Sequence, residues 1–391
     1  MILRPKRSSS VHEWCDEPPS RRPTRAGYGS RSPAVYRWPI VEGDPPRAYI
    51  VAVESRAPVE TQQFRPDWLP SDLYPFADQW AEIDGHLVHY VDEGDGPPIL
   101  LLNGNPSWSF GWRDVIVRLR GQFRCIAPDY PGFGLSRAAP GFDFKPSSQS
   151  VVVEHLVDHL GLTSVTIVAY DWGGPIGLGL AGRRSEIVRA LVLGNTWGWP
   201  MRSWTTRLFS ALFGGPLGPL LVDRLNLILR VFLPRSLLRA RLTDAETAAY
   251  HGPFPPGHRR PMRVFPREIV AGRAYLRAVE KGLPRLAGKP VLLAWADASA
   301  GLGDAVLDRW RGVFPDATLT RLTNVGRFID EDAPEDLADA ILGWWPAVAA
   351  TPTDASPTEA SPARGRAKGR AKSRAPARPR RAPRASAPDA S

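Results

Sequence analysis

The segment Val165-Thr-Ile-Val-Ala-Tyr-Asp171-Trp172-Gly173-Gly174 holds the clearest chemical signal in the sequence. An apolar run of strand length ends on an acidic residue, and glycine then opens a helix. Ala169 and Gly173 stand two residues to either side of Asp171. This is the small-x-nucleophile-x-small spacing of a strained elbow, where close backbone approach lifts one side chain clear of a sheet. The helix start that follows offers backbone N–H donors and a positive dipole end, both suited to an ionised carboxylate. Asp is also a preferred helix cap, so the segment alone leaves nucleophile and cap as equal readings.

A side chain so placed needs a buried sheet beneath it. The strand-length runs PPILLLNGN (97–105), FRCIAPD, SVTIVAY, VRALVLGNT and KPVLLAWAD recur along the chain. Between them GWRDVIVRLRG, SSQSVVVEHLVDHLG and AVLDRWRGVF space their apolar residues as helices with one buried face. The rhythm predicts an α/β fold with a mostly parallel sheet covered on both faces. WAEIDGHLVHYVDEG alternates apolar and polar residues around Gly85, which predicts an antiparallel hairpin at the sheet's start.

The rhythm stops between Trp199 and Leu286, where Leu-, Arg- and Pro-rich helical segments stand without strands. A helical cap over 199–286 is expected there, inserted where strand carboxyl ends open into a ligand crevice. The core is then 67–198 with 287–348. Residues 1–66 form an Arg/Pro-rich extension in which Trp38, Ile40, Tyr49, Ile50 and Val51 could dock on the core. Residues 349–391 are a basic Pro/Ala-rich tail, expected to be disordered because almost no large apolar side chain offsets the entropy of ordering it.

The net charge of +10 belongs to those ends, which supply +4 and +7 and leave 29 basic and 30 acidic residues between them. No nucleic-acid face is expected on the globular part; the basic tail could bind an anionic polymer weakly, but a solubilising role is the favoured reading because the tail lacks the interleaved aromatics that stack on bases. Cys15 and Cys125 are too few and too far apart for a disulfide framework. The start MILRPKRSSSVHEW has no apolar stretch after its charges, so no secretory signal is read. The apolar region Leu208 to Leu233 is too interrupted by Gly, Pro and charge to span a bilayer. The expectation is a cytoplasmic protein with no membrane partner, acting on a small halogenated or apolar molecule and water.

Taken together, NGNPSWSFGWRDVI, IAPDYPGFGLS, AYDWGG, GNTWGWP, YHGPFP with FPREI, and NVGRFIDEDAPEDLADAI resemble the haloalkane dehalogenases of the α/β-hydrolase superfamily, in the same order and over Phe64 to Trp345. The resemblance implies that Asp171 displaces halide from carbon, forming an alkyl-enzyme ester that water later cleaves, without cofactor or metal. Asn105 and Trp172 occupy the places of the halide-holding residues. Alone they read as an Asn-Pro turn and a core aromatic. Asp297, which alone reads as a turn residue at a strand end, matches the acid that orients a catalytic histidine. Thr196 stands where another branch of the family carries an acidic residue.

The departure lies at Arg327, which fills the family's histidine position. A guanidinium stays protonated and has no acceptor lone pair, so it cannot take a proton from water. Asn103 and Tyr170 replace two further family histidines, which puts three expected changes in one pocket. Arg327 is positioned to pair with Asp171. Of the seven histidines, only His251 and His258, in the cap, are candidates to face the pocket. Three readings follow: a dehalogenase-like hydrolase that turns over slowly or once; a binding protein whose Arg327 recognises an anion; and an epoxide hydrolase using Tyr250 and Tyr275, against which Asn105 argues.

Overall fold

The computed structural model describes residues 65–299 and 301–350; the expectations for residues 1–64 and for the tail beyond 350 lie outside the described residues. Eight strands form one sheet: β1 (Gln79–Ile83), β2 (His86–Glu93), β3 (Pro98–Leu102), β4 (Arg124–Pro128), β5 (Val165–Asp171), β6 (Val188–Thr196), β7 (Val291–Ala296) and β8 (Thr318–Leu322). Their order is β1-β2-β4-β3-β5-β6-β7-β8. The β1–β2 and β2–β4 pairs are antiparallel, and the rest run parallel. The expected hairpin turns at Asp84 and Gly85, both at positive φ. Every residue of β5 and of β7 is buried, as continuous apolar runs in a two-sided sheet require.

Helices α1 (Arg113–Leu119), α2 (Pro146–His159) and α3 (Gly173–Arg183) follow β3, β4 and β5. The insertion between β6 and β7 comprises α4 (Trp204–Gly214), π-helical turns at Pro219–Arg224 and Ile228–Phe232, α5 (Leu233–Arg235), α6 (Asp244–His251), α7 (Arg260–Ala271) and α8 (Arg273–Gly282). After β7 come α9 (Asp304–Val313), α10 (Ile329–Asp332) and α11 (Pro334–Ala350). Among the described residues, no strand lies between β6 and β7. β8 escaped the sequence reading because it is a mostly exposed edge strand with a single buried residue, Leu322.

Two neighbouring acidic residues, Glu331 and Asp332, fasten the insertion to the core. Glu331 takes two hydrogen bonds from Arg113, at 2.6 and 2.7 Å, and Arg113 reaches on to Glu246 of α6 at 2.6 Å. Tyr250 of the same helix donates to Glu331 at 2.7 Å. Asp332 accepts backbone N–H groups from Leu238, Arg239 and Ala240. These carboxylates are buried, with their lone pairs met by fixed donors.

Candidate active site

Asp171 ends β5 at φ 47, a left-handed conformation that an L-residue adopts only when its surroundings enforce it. The enforcement is visible on all sides. Thr196 Oγ1 donates to the Asp171 carbonyl at 2.6 Å. A Cβ on Gly104 would lie 2.5 Å from Asp171 Cβ, and one on Gly173 would lie 2.1 Å from the Leu102 carbonyl oxygen. A Cβ on Gly174 would meet Thr196 Oγ1 at 1.7 Å. The glycines around Asp171 are therefore where backbone and side chain pass too closely for any other residue. Gly173 belonged to the sequence signal; Gly104 and Gly174 become legible only once neighbouring strands are in place.

The two carboxylate oxygens of Asp171 have different partners. Oδ1 accepts from the backbone N–H of Trp172 at 2.8 Å and of Asn105 at 3.3 Å. Oδ2 accepts from Arg327 Nη1 at 2.8 Å, an ion pair whose carboxylate is almost fully buried. The pairing anticipated from the sequence is present.

Arg327 lines a cavity of about 250 Å³ together with Trp197, Phe209, Phe232, Ile269 and Leu302. The walls are apolar and Arg327 is their cation. Asp171 is not among the lining residues; its carboxylate is held by the guanidinium that is. Arg327 also stacks over the Phe232 ring, 5.6 Å from its centroid, and its backbone N–H donates to the Ser236 carbonyl at 3.1 Å.

Asn105 is buried beyond a cis bond to Pro106, its Nδ2 donating to the Met262 carbonyl of α7 at 3.2 Å. Trp172 is buried edge-on against Trp197 and Phe265. Both adjoin Asp171, one through its N–H and one through the chain. Asp297 is exposed just after β7, where its carboxylate accepts the Val325 N–H at 3.3 Å. Hydrogen bonds from the backbone of Asn324 and Val325 hold that carboxyl below its ordinary range. Asp297 thus fixes the loop that leads into Arg327.

The other two departures do not share Arg327's surroundings. Asn103 is buried, donating to the Ser107 carbonyl at 2.6 Å, and its carbonyl accepts from Tyr130. Tyr170 points to the opposite face of β5 from Asp171, as alternation along a strand demands, and donates to Asp330 at 2.8 Å. Of the three changes expected in one pocket, only Arg327 lines the cavity. Neither His251 nor His258 lines it either.

The sequence reading missed Asp330. It is wholly buried in α10, and desolvation, the largest cause, with the Glu331 charge behind it, pushes its carboxyl up to about 7 against the lowering bond from Tyr170. A stretch reading Asp-Glu-Asp looks solvated on paper. Its apolar flanks, Phe328-Ile329 and Ala333, were the available signal.

Comparison with known proteins agrees with this geometry. The α/β hydrolase fold family matches residues 97–334. Haloalkane dehalogenase 2 of Mycobacterium tuberculosis is 40% identical over 282 residues, covering 71% of this chain and 97% of that protein. A cis-3-alkyl-4-alkyloxetan-2-one decarboxylase of Shewanella oneidensis is 30% identical over 313 residues, covering 74% and 93%. Among solved structures, a haloalkane dehalogenase from Bradyrhizobium elkani superposes with a TM-score of 0.66 at 29% identity, over 70% of this chain and 99% of that one. With its parallel sheet, its elbow at Asp171 and its helical insertion, the chain belongs to the α/β-hydrolase family, in the haloalkane dehalogenase-like group.

Proposed function

We propose that Asp171 is a carboxylate nucleophile that takes an alkyl group from a small halogenated substrate and that the ester then persists. The observation that carries this reading is the asymmetry of the carboxylate. Two backbone N–H groups hold Oδ1, which leaves Oδ2 as the attacking oxygen. In the ester those same donors face the carbonyl oxygen, where negative charge develops when water adds. Asn105 and Trp172 are assigned to the departing halide, and Asp297 to positioning the 327 loop. What is missing is the proton acceptor. General-base assistance contributes about 10²–10⁴-fold, so hydrolysis falls behind alkylation by about that factor. Arg327 slows the first step too, because its hydrogen bond occupies Oδ2.

The test is mass spectrometry of the intact chain after exposure to a short bromoalkane. The expected result is halide released in equal amount to enzyme, with an alkyl mass on the peptide containing Asp171 and none in Asp171→Asn. In Arg327→His the adduct should form and then disappear. A chain that releases no halide and carries no adduct, yet is stabilised by organic anions, is instead a binding protein whose Arg327 recognises them.

A second reading is favoured by the same missing base, combined with the decarboxylase relative. Opening an oxetan-2-one ring by attack of Asp171 at the alkyl carbon breaks the ring C–O bond and releases a carboxylate, for which Arg327 is a ready partner. Loss of CO2 then forms the alkene double bond as the Asp171 ester bond breaks. No water and no proton transfer enter that sequence. Alkene detected by gas chromatography after incubation with a cis-dialkyl oxetan-2-one supports this reading, and recovery of unchanged lactone rejects it.

A further inference from the structure

Among the described residues eleven large apolar side chains are exposed, and eight of them lie between Trp204 and Leu238. The concentration has a local cause. Helix α4, Trp204–Gly214, carries Trp204, Leu208, Phe209, Leu212 and Phe213 over more of its circumference than a single buried face uses. Its inner face is used: Ser210 and Gly214 are buried, and a Cβ on Gly214 would lie 2.3 Å from the Arg267 backbone nitrogen of α7. Thr205, Thr206 and Phe209 line the cavity in front of Arg327. The outer face carries Trp204, Leu208 and Leu212 at intervals of four, one stripe along the helix. Trp204 is 73% exposed. Leu217 and Leu220, also exposed, continue the apolar surface into the following π-helical turn, which packs on α4.

The charge around this face is one-sided. Residues 199–241 contain seven arginines and one acid, Asp223, whereas the chain between its two basic ends is nearly neutral. Arg202, Arg207, Arg224, Arg230 and Arg235 are all exposed. A second copy of the chain is a poor occupant, because a two-fold contact sets the same positive surface against itself. An anionic lipid surface meets every feature at once. It takes Leu and Trp side chains into the headgroup boundary, where the indole's amphipathic ring is at home. It pairs with guanidinium groups, whose stems lie along the apolar layer while their heads stay wet.

We propose that the outer face of α4, with Leu217, Leu220 and the flanking arginines, seats on the surface of an anionic bilayer in the interfacial plane. Spanning is a separate matter, and no described helix is long and apolar enough to cross a membrane. The seat puts lipid on one side of α4 and the Arg327 cavity on the other. An apolar substrate dissolved in the bilayer then has one helix to pass. The proposal stands apart from the chemistry of Asp171.

The test is flotation of the full chain with vesicles of phosphatidylcholine mixed with phosphatidylglycerol, against vesicles of phosphatidylcholine alone. The expected result is binding to the mixed vesicles that weakens as salt is added. The variant Trp204→Asp should lose on the order of tenfold or more in vesicle affinity with an unchanged thermal midpoint, because that side chain is 73% exposed, and the double variant with Leu208→Asp should lose more. Absence of flotation overturns the proposal. So does undiminished binding by the double variant, which would assign the contact to the basic residues 349–391. A concentration-dependent dimer in light scattering that the double variant abolishes would give the face to a second copy instead. A lowered thermal midpoint without vesicles would mean that the chain itself already covers it.

Discussion

Asp171 and Arg327 were both legible as residues, for opposite reasons. Asp171 stood out because small residues at fixed spacing around an acid suit a strained elbow as well as a helix cap, and the companion motifs decided between them. Arg327 stood out against an otherwise matching motif, since its chemistry is the reverse of what that position requires. The pairing of the two was anticipated; what the sequence did not reveal is that Arg327 lines an apolar cavity while Asp171 does not. That geometry separates two effects of one side chain. Arg327→Ala removes the hydrogen bond on Oδ2 without supplying a base. Adduct formation on Asp171 should therefore accelerate while the adduct remains as long-lived as before. A time course of intact mass checks this, and slower alkylation in the alanine variant would show that Arg327 activates the carboxylate.

At the level of elements, the strands that position the site were readable because two-sided burial writes itself as unbroken apolar runs. β8 was not, because an edge strand with exposed Thr and Arg has no such run. Close contacts between elements were likewise hidden. Gly174 abuts Thr196 of the neighbouring strand, so Gly174→Ala forces apart α3 and β6. The expected loss is about 1–3 kcal/mol of stability, as for other overpacked cores, measurable by urea unfolding. The join between insertion and core is testable in the same way. Arg113→Met leaves the buried Glu331 without its bidentate partner, a defect worth about 3–5 kcal/mol. A variant that unfolded like the native chain would show that Tyr250 alone satisfies Glu331.

For the molecule as a whole, composition located the charge without revealing its distribution within the middle. Near-neutrality between the termini conceals the arginine-rich stretch 199–241, balanced by acids elsewhere, of which several are buried in α10. Burial of acids also sets a pH dependence. The Asp330 carboxyl sits at about 7 in the fold and near 4 in an unfolded chain. Its contribution is complete below about pH 4 and is lost as pH rises toward 7, because the unfolded chain gives up its proton first. Asp330→Asn should flatten the thermal midpoint across that interval, by up to about 4 kcal/mol at its upper end. A native midpoint already flat over the same range would mean that Asp330 is ionised in the fold.

Arg327 is gripped from the insertion as well as by Asp171: Phe232 lies under its guanidinium, and Ser236 holds its main chain. Lifting the helices of that layer away from the strands pulls on the counter-ion of Asp171. On the proposed reading, in which Asp171 Oδ2 attacks, admission of a guest and unmasking of that oxygen are a single mechanical event, and the closed form is also the silent one.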